Sequence, residues 1–347
     1  MSGSWQRKSV LVTGGASFIG SHLVDALVAR GAAVRVVDDL SSGTRQNLAV
    51  HLDRRDVELI EADLREPGVA RSAMRDVNVL FHLAGDHGGR GYVDLRQAGP
   101  ASNLFVDGLV FWEARRAGVE RVVFASSGCV YPNFLQGDPA REVYLSEDLV
   151  KAPYDADNMY GYAKLMGELT LRAYAAEYGM KTASCRYFTV YGPRAKENHA
   201  VTAMIARAFI EQDPFEVWGT GEQVRNWTYV DDIVAGTILA AERIDDGTAV
   251  NLGTTERIRV IDAVRLILEL MGHKSTIVTQ THMPTGPLNR VADNRLAERL
   301  LGWRPQFLFR EGVRRTIDWY RTNKRKTDVR NILASGGLIE RQVMLPP

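Results

Sequence analysis

The stretch Thr13-Gly14-Gly15-Ala16-Ser17-Phe18-Ile19-Gly20 decides the fold. It follows a short apolar run at residues 9–12. It opens a run at 18–30 in which Ile19, Leu23, Ala26 and Leu27 recur at helical spacing. Glycines between a strand and a helix permit a tight turn. They also let backbone N–H groups approach a pyrophosphate at the helix N-terminus, where the dipole favours negative charge. Gly14, Ser17, Phe18, Ile19 and Gly20 are therefore candidate ligands of a dinucleotide. Asp38 closes the next β-branched run, at 34–37, and Asp39 follows it. A carboxylate there accepts hydrogen bonds from a ribose diol and repels a 2′-phosphate, which favours NAD over NADP. Arg45 keeps NADP open as an alternative, and a purely structural turn is the other.

Outward from this loop the same alternation continues. Short apolar runs at 57–60, 79–83, 122–125 and 182–186 read as strands buried on both faces of a parallel sheet. Helical stretches at 101–117 and 161–178 lie between them. The pattern predicts an α/β fold, a Rossmann-like doubly wound parallel sheet, over residues 1–193. After Gly192-Pro193 helices at 200–211, 231–243 and 261–271 alternate with short strands and turns such as Pro284-Thr285-Gly286-Pro287. This predicts a smaller C-terminal substrate-binding α/β lobe over 194–330, interleaved with the last strands of the sheet. A helix at 310–323 runs into the basic stretch 321–326, read as a solvated helix end, and residues 331–347 read as a tail.

The composition fits. Of 347 residues 45% are hydrophobic and 24% charged, and 43 Lys plus Arg nearly balance 42 Asp plus Glu. A net charge of +1 gives no field to hold nucleic acid or a membrane surface. No apolar run approaches the roughly 18 residues of a membrane span. The polar N-terminus predicts no signal peptide. Two cysteines, Cys129 and Cys185, cannot make a disulfide framework, so a cytoplasmic setting is expected. Cys185, inside a strand run, reads as a buried inert thiol. No metal site is expected.

Tyr160-Gly161-Tyr162-Ala163-Lys164 lies in a helical run, which puts Tyr160 and Lys164 on one face. A phenol near pKa 10 is a poor base. An ammonium one turn away, with a positive nicotinamide ring, would stabilise the phenolate. Tyr162 lacks a lysine four residues on and is expected to pack. Ser126-Ser127-Gly128-Cys129-Val130-Tyr131-Pro132 follows the fifth strand, at the carboxyl edge where such sheets bind ligands.

In these elements the chain resembles the extended short-chain dehydrogenase/reductase family, whose usual loop has a glycine where Ser17 stands. The resemblance implies that Asp63 and Leu64 contact adenine. It implies that Leu83, Ala84, Gly85 and Tyr187 line the cofactor, and that Ser127 hydrogen-bonds the reacting hydroxyl. It also implies a homodimer through the helices at 101–117 and 161–178, with Leu104, Leu109, Phe111, Trp112, Leu165 and Leu169 as apolar faces. Cys129 is the telling position. The family's 4,6-dehydratases carry an Asp-Glu pair there, its UDP-glucuronate decarboxylases a Glu, and its C4-epimerases an uncharged residue. Cysteine resembles the GDP-mannose 3,5-epimerases, as does Gly88-Gly89-Arg90-Gly91. His199 stands where those enzymes place a catalytic lysine, and Thr189 replaces an asparagine.

The implied activity is a nucleotide-diphospho-sugar epimerase working through a 4-keto sugar. Tyr160 and Lys164 serve hydride transfer, and Cys129 and His199 act at C3 or C5. Gly88, Gly89, Thr189, Arg207, Gln223, Arg225 and Arg290 are candidate substrate ligands, because guanidinium forks match phosphate oxygens. Trp218 and Trp227 are expected in the core. A C4-epimerase, a 4,6-dehydratase and a non-catalytic dinucleotide-binding protein remain as alternatives.

Overall fold

The computed structural model describes residues 5–335. The strands are β1 (Ser9–Thr13), β2 (Ala33–Asp38), β3 (Val57–Glu61), β4 (Val79–His82), β5 (Arg121–Ser127), β6 (Lys181–Tyr187), β7 (Val190–Tyr191), β8 (Phe215–Trp218), β9 (Val224–Arg225), β10 (Thr228–Tyr229), β11 (Asp246–Leu252), β12 (Ile258–Arg259), β13 (Ile277–Gln280) and β14 (Asn289–Arg290). The helices are α1 (Phe18–Val28), α2 (Ala49–Arg54), α3 (Val69–Ala73), α4 (Arg90–Leu95), α5 (Ala98–Ala101), α6 (Asn103–Arg116), α7 (Asn158–Tyr178), α8 (Ala200–Phe209), α9 (Val230–Arg243), α10 (Val260–Met271), α11 (Arg295–Leu301), α12 (Phe309–Asn323) and α13 (Lys326–Ala334).

Among the described residues seven strands form one parallel sheet in the order β11-β6-β5-β4-β1-β2-β3. Apolar residues on both faces of these strands explain the arrangement, since each face needs a helical layer. Leu23, Val24 and Leu27 of α1 pack with Ile233 and Val234 of α9 on one face. Val106, Val110 and Phe111 of α6 and Leu171 of α7 cover the other. Strand order reverses between β1 and β4, so their carboxyl ends open a crevice, the place where such sheets take ligands. A third core joins α8, α10, α12, α13 and β8 around Trp227, which stacks on Phe309 with centroids 5.2 Å apart.

A buried ion pair ties the sheet to α7. Arg186 donates to both carboxylate oxygens of Glu168, at 2.9 and 2.8 Å. Both side chains are nearly inaccessible. Tyr131, Asn251 and Ser126 complete the network, so each buried charge has partners.

Several expectations are corrected. The helix expected at 101–117 is split into α5 and α6 after Ala101. Phe111 and Leu165 point into the core rather than outward, and the outward apolar residues are Leu104, Phe105, Trp112 and Met166. Tyr162 does not pack: it is exposed, its hydroxyl 3.4 Å from the Tyr154 carbonyl. The first residues of the expected tail belong to α13, whose Val329 is buried in the third core. Residues 336–347 lie outside the described residues. Among the described residues no helix is long and apolar enough to cross a membrane. No group of three or more His, Cys, Asp or Glu there could hold a metal.

Candidate active site

The loop after β1 turns onto α1 through two close approaches. A Cβ on Gly20 would lie 2.1 Å from the Gly14 carbonyl oxygen, and one on Gly14 would lie 2.9 Å from the Ala84 nitrogen. Gly14 also has φ of +71°. Side chains there would fill the cradle that a pyrophosphate needs, so these positions fit a dinucleotide. Ser17 stands at φ −84°, so the serine in place of the usual glycine is unstrained. Asp38 accepts hydrogen bonds from the N–H groups of Ala16 and Leu40, both at 2.9 Å. Burial pushes its carboxyl up, against the pull of those N–H groups. Arg45 is engaged by Glu61, which takes away the cation an extra ribose phosphate would need.

Thr13 and His82, at the ends of β1 and β4, are bonded at 2.7 Å. The other nitrogen of His82 meets Asp107 at 2.9 Å. Thr13 also accepts from the N–H groups of Leu83 and Ala84, at 3.2 Å. This buried chain sets the loop after β4 and holds a carboxylate on α6 beneath Lys164.

A cleft of about 420 Å³ lies over the switch point, within the range of small-molecule sites. Gly14, Ser17, Phe18, Ile19, Gly20, Leu83, Gly85, Gly88 and Gly89 line one part of it. Ser127, Cys129, Tyr160, Lys164, Tyr187, Thr189, His199, Arg207, Gln223, Arg225 and Arg290 line the rest. Five expected residues are not on this wall. Asp38 turns to the loop. Asp39 accepts from Ser41 at 2.6 Å. Asp63 is paired with Arg65 at 2.6 Å. Leu64 is buried in the sheet core. Ala84 presents its N–H to Thr13.

Ser127 hydrogen-bonds the Tyr160 phenol. The approach is possible because Gly161 has no side chain: a Cβ there would meet the Cys129 carbonyl oxygen at 2.3 Å. Burial pushes the Tyr160 phenol up, and nearby Cys129 and Asp107 add to that, against Ser127. The lowering expected from the lysine is not among these influences: burial, not Lys164, dominates the Tyr160 phenol. Burial holds Lys164 below the usual lysine value, with Asp107 pulling it back up. Its ammonium lies 4.6 Å from the Phe124 ring centroid and 5.9 Å from that of Tyr160, and it makes no hydrogen bond to a described residue. An ammonium left with donors to spare fits a ribose diol.

Arg290 is the hub of the distal wall. It donates to Cys129 Sγ at 3.1 Å, to Asp157 at 2.9 Å and to Gln136 at 2.6 Å. Arg90 reaches the same Asp157 at 2.7 Å. Arg225 donates only to the carbonyls of Val224 and Thr285, both at 2.9 Å. Burial pushes it down to about 9, with repulsion from Arg290 and Arg90 adding to that. Arg207 is likewise lowered by burial and donates to the Glu216 carbonyl at 2.7 Å. Gln223 donates to the Trp218 carbonyl, leaving its own oxygen unpaired. Thr189 sits at φ +34°, a strained value for a side chain of its shape. His199 caps α8 and is pushed down to about 3, by burial first and then by His87 and Lys196. Arg90, Asp157, Gln136 and His87 were missed from sequence. Arg90 lies inside the quoted glycine run and His87 directly before it, which was the signal that could have found them.

Residues 10–253 match the NAD dependent epimerase/dehydratase family, and the chain belongs to it. It is an NAD-dependent enzyme of the nucleotide-sugar epimerase/dehydratase class. It is 28% identical to GDP-mannose 3,5-epimerase 1 of Oryza sativa subsp. indica over 338 residues, 95% of this chain and 86% of that one. It is 31% identical to UDP-glucuronic acid decarboxylase 1 of Xenopus tropicalis over 324 residues, 91% of this chain and 72% of that one. Among solved structures, the UDP-glucose 4-epimerase of Thermotoga maritima with UDP-glucose superposes with TM-score 0.80 at 29% identity, covering 90% of this chain and 99% of that one. The UDP-glucose 4-epimerase of Thermus thermophilus complexed with NAD gives 0.79 at 29%, covering 91% and 100%.

Proposed function

We propose that the chain inverts a stereocentre of a nucleotide-diphospho-sugar through a transient 4-keto sugar. NAD, held by the loop 13–20 and Lys164, would supply a reversible acceptor for the C4 hydride, so no net oxidation would result. Tyr160 takes the C4 hydroxyl proton, Ser127 holds that hydroxyl, and Lys164 holds the nicotinamide ribose. The ketone acidifies the neighbouring C–H bonds. Cys129 and His199 are the candidate acid/base pair there. Arg207, Gln223, Arg225 and Arg290 take the nucleoside diphosphate, and Gly88, Gly89 and Thr189 surround the sugar. Residues 1–193 act mainly as the NAD-binding unit and 194–330 as the sugar-nucleotide lobe. Two chains pair through α6 and α7, whose exposed Phe105, Trp112 and Met166 support it. Two free cysteines support a cytoplasmic setting.

The observation that carries this reading is the thiol of Cys129, gripped by Arg290 in the same cleft as Tyr160, Ser127 and Lys164. A simple C4 inversion is the second reading. It is favoured by His199, whose depressed value makes it a weak base. Incubation with GDP-mannose, UDP-glucose and UDP-glucuronate in D2O, read by NMR, separates them. Deuterium at C3 or C5 supports the acid/base pair. C4 inversion with no incorporation supports the second reading. No conversion of any nucleotide sugar sinks both.

A further inference from the structure

A second imidazole stands beside His199. His87, in the loop after β4, has its ring centroid 6.1 Å from that of His199. The two rings are held differently. His199 meets aromatic neighbours, His87 and Phe18, the latter at 6.4 Å. Its ring nitrogens make no hydrogen bond to a described residue. His87 is tethered: Nδ1 lies 3.2 Å from the Gly85 carbonyl oxygen. A carbonyl only accepts, so Nδ1 carries the hydrogen and Nε2 keeps its lone pair.

Position separates them as well. Gly85, the tether of His87, lies against Lys164: a Cβ on it would be 3.6 Å from the ammonium nitrogen. The loop that carries His87 thus leaves the sheet beside Lys164, whose charge acts on the His87 ring, so His87 lies between the Lys164 end of the cleft and His199. His199 stands at the Phe18 end, beside the phosphate loop. His87 is exposed and is one of the residues that line the cleft. Burial by the surrounding walls lowers its pKa, and Lys164 and Lys196 add to that, against Gly85 and Asp86. The ring is thus an uncharged acceptor with a fixed tautomer, which is what an oriented general base requires.

We propose that Nε2 of His87 is the proton acceptor at the 4-keto stage and that His87 and Cys129 form the acid/base pair, with His199 shaping the wall. This rests on the epimerase reading above and puts His87 in the place given there to His199. Nε2 takes the proton from C3 or C5. The C–H electron pair moves into the ring C–C bond, and the carbonyl pair moves onto O4, where Tyr160 and Ser127 can donate. The Cys129 thiol then gives its proton to the same carbon, the enolate electrons forming the new C–H bond. The remaining imidazolium and thiolate are reset by proton exchange with water.

Two measurements test it. In holoenzyme labelled with 15N-histidine, long-range 1H–15N spectra are expected to show His87 uncharged at pH 7 with hydrogen on Nδ1. A hydrogen on Nε2, or a charged ring, overturns the proposal with no substrate needed. With GDP-mannose, UDP-glucose and UDP-glucuronate in D2O, His87→Gln is expected to cut deuterium incorporation at C3 or C5 by at least roughly 100-fold. NADH absorbance should still appear in that variant. His199→Gln should cut incorporation less. Incorporation that persists in His87→Gln, or falls further in His199→Gln, overturns the proposal. So does wild-type turnover with no incorporation at all. No conversion of any of the three sugars by the wild type refutes the epimerase reading instead, and the tautomer measurement still decides whether Nε2 is free to accept.

Discussion

Arg290 donates a hydrogen bond to the sulfur of Cys129 across 161 residues of chain, at 3.1 Å. Its other arm is fixed to Asp157 and Gln136, so the guanidinium cannot follow a displaced sulfur. A charge-assisted bond of this kind is worth about 1.5–3 kcal/mol. Arg290→Gln is expected to lower kcat/KM for the converted nucleotide sugar by roughly 10- to 100-fold. A variant kinetically equal to wild type would detach Arg290 from the chemistry.

Lys164 is expected to show function set against stability. Its ammonium is buried, and burial lowers its pKa. Between the folded value and the unfolded value of 10.5 the unfolded chain binds more protons. Stability through this group therefore rises with pH in that window. Lys164→Met should raise the Tm of the NAD-free protein by roughly 1–4 °C near neutrality while abolishing turnover. The gap to wild type should close as pH approaches 10.5. Thermal scans from pH 6 upward check both the sign and the closure.

The Glu168–Arg186 pair should behave oppositely. Glu168→Ala leaves a buried guanidinium without its carboxylate, which costs about 3–5 kcal/mol. Urea unfolding should show a lower midpoint with an unchanged slope. A loss under 1 kcal/mol would mean that Tyr131 and Glu147, whose carbonyl lies 3.4 Å from Arg186, suffice alone.

Gly20→Ala places a methyl against the Gly14 carbonyl oxygen. The expected result is loss of NAD on gel filtration, with Tm falling toward that of NAD-stripped wild type. Asp38→Ala should weaken NAD without admitting NADP, because Arg45 stays with Glu61. Equilibrium titration with both dinucleotides reads this directly.

Much of the site is legible in the sequence because its carriers obey local rules. The loop 13–20 and the pair Tyr160 and Lys164 lie on or beside elements whose periodicity is strong. What was not legible depends on contacts far apart in the chain. Strands β7, β9, β10, β12 and β14 span two residues each, too few for any period to register. Arg90 opens a helix inside a glycine run that reads as loop. Leu165 and Phe111 are as apolar as an outer interface needs, yet Phe111 packs into the core with Phe124 of β5 and Leu165 into that with Val130, Tyr131 and Phe188.

Gly89 faces the Asn198 carbonyl oxygen so closely that a Cβ would come within 2.2 Å. The seam over the cleft is thus main chain against main chain. The ceiling height belongs to the backbone, whatever residues hang below it. Side chains hung below that seam can change size or charge without lifting the roof, so the lining of this cleft can vary while its skeleton stays put.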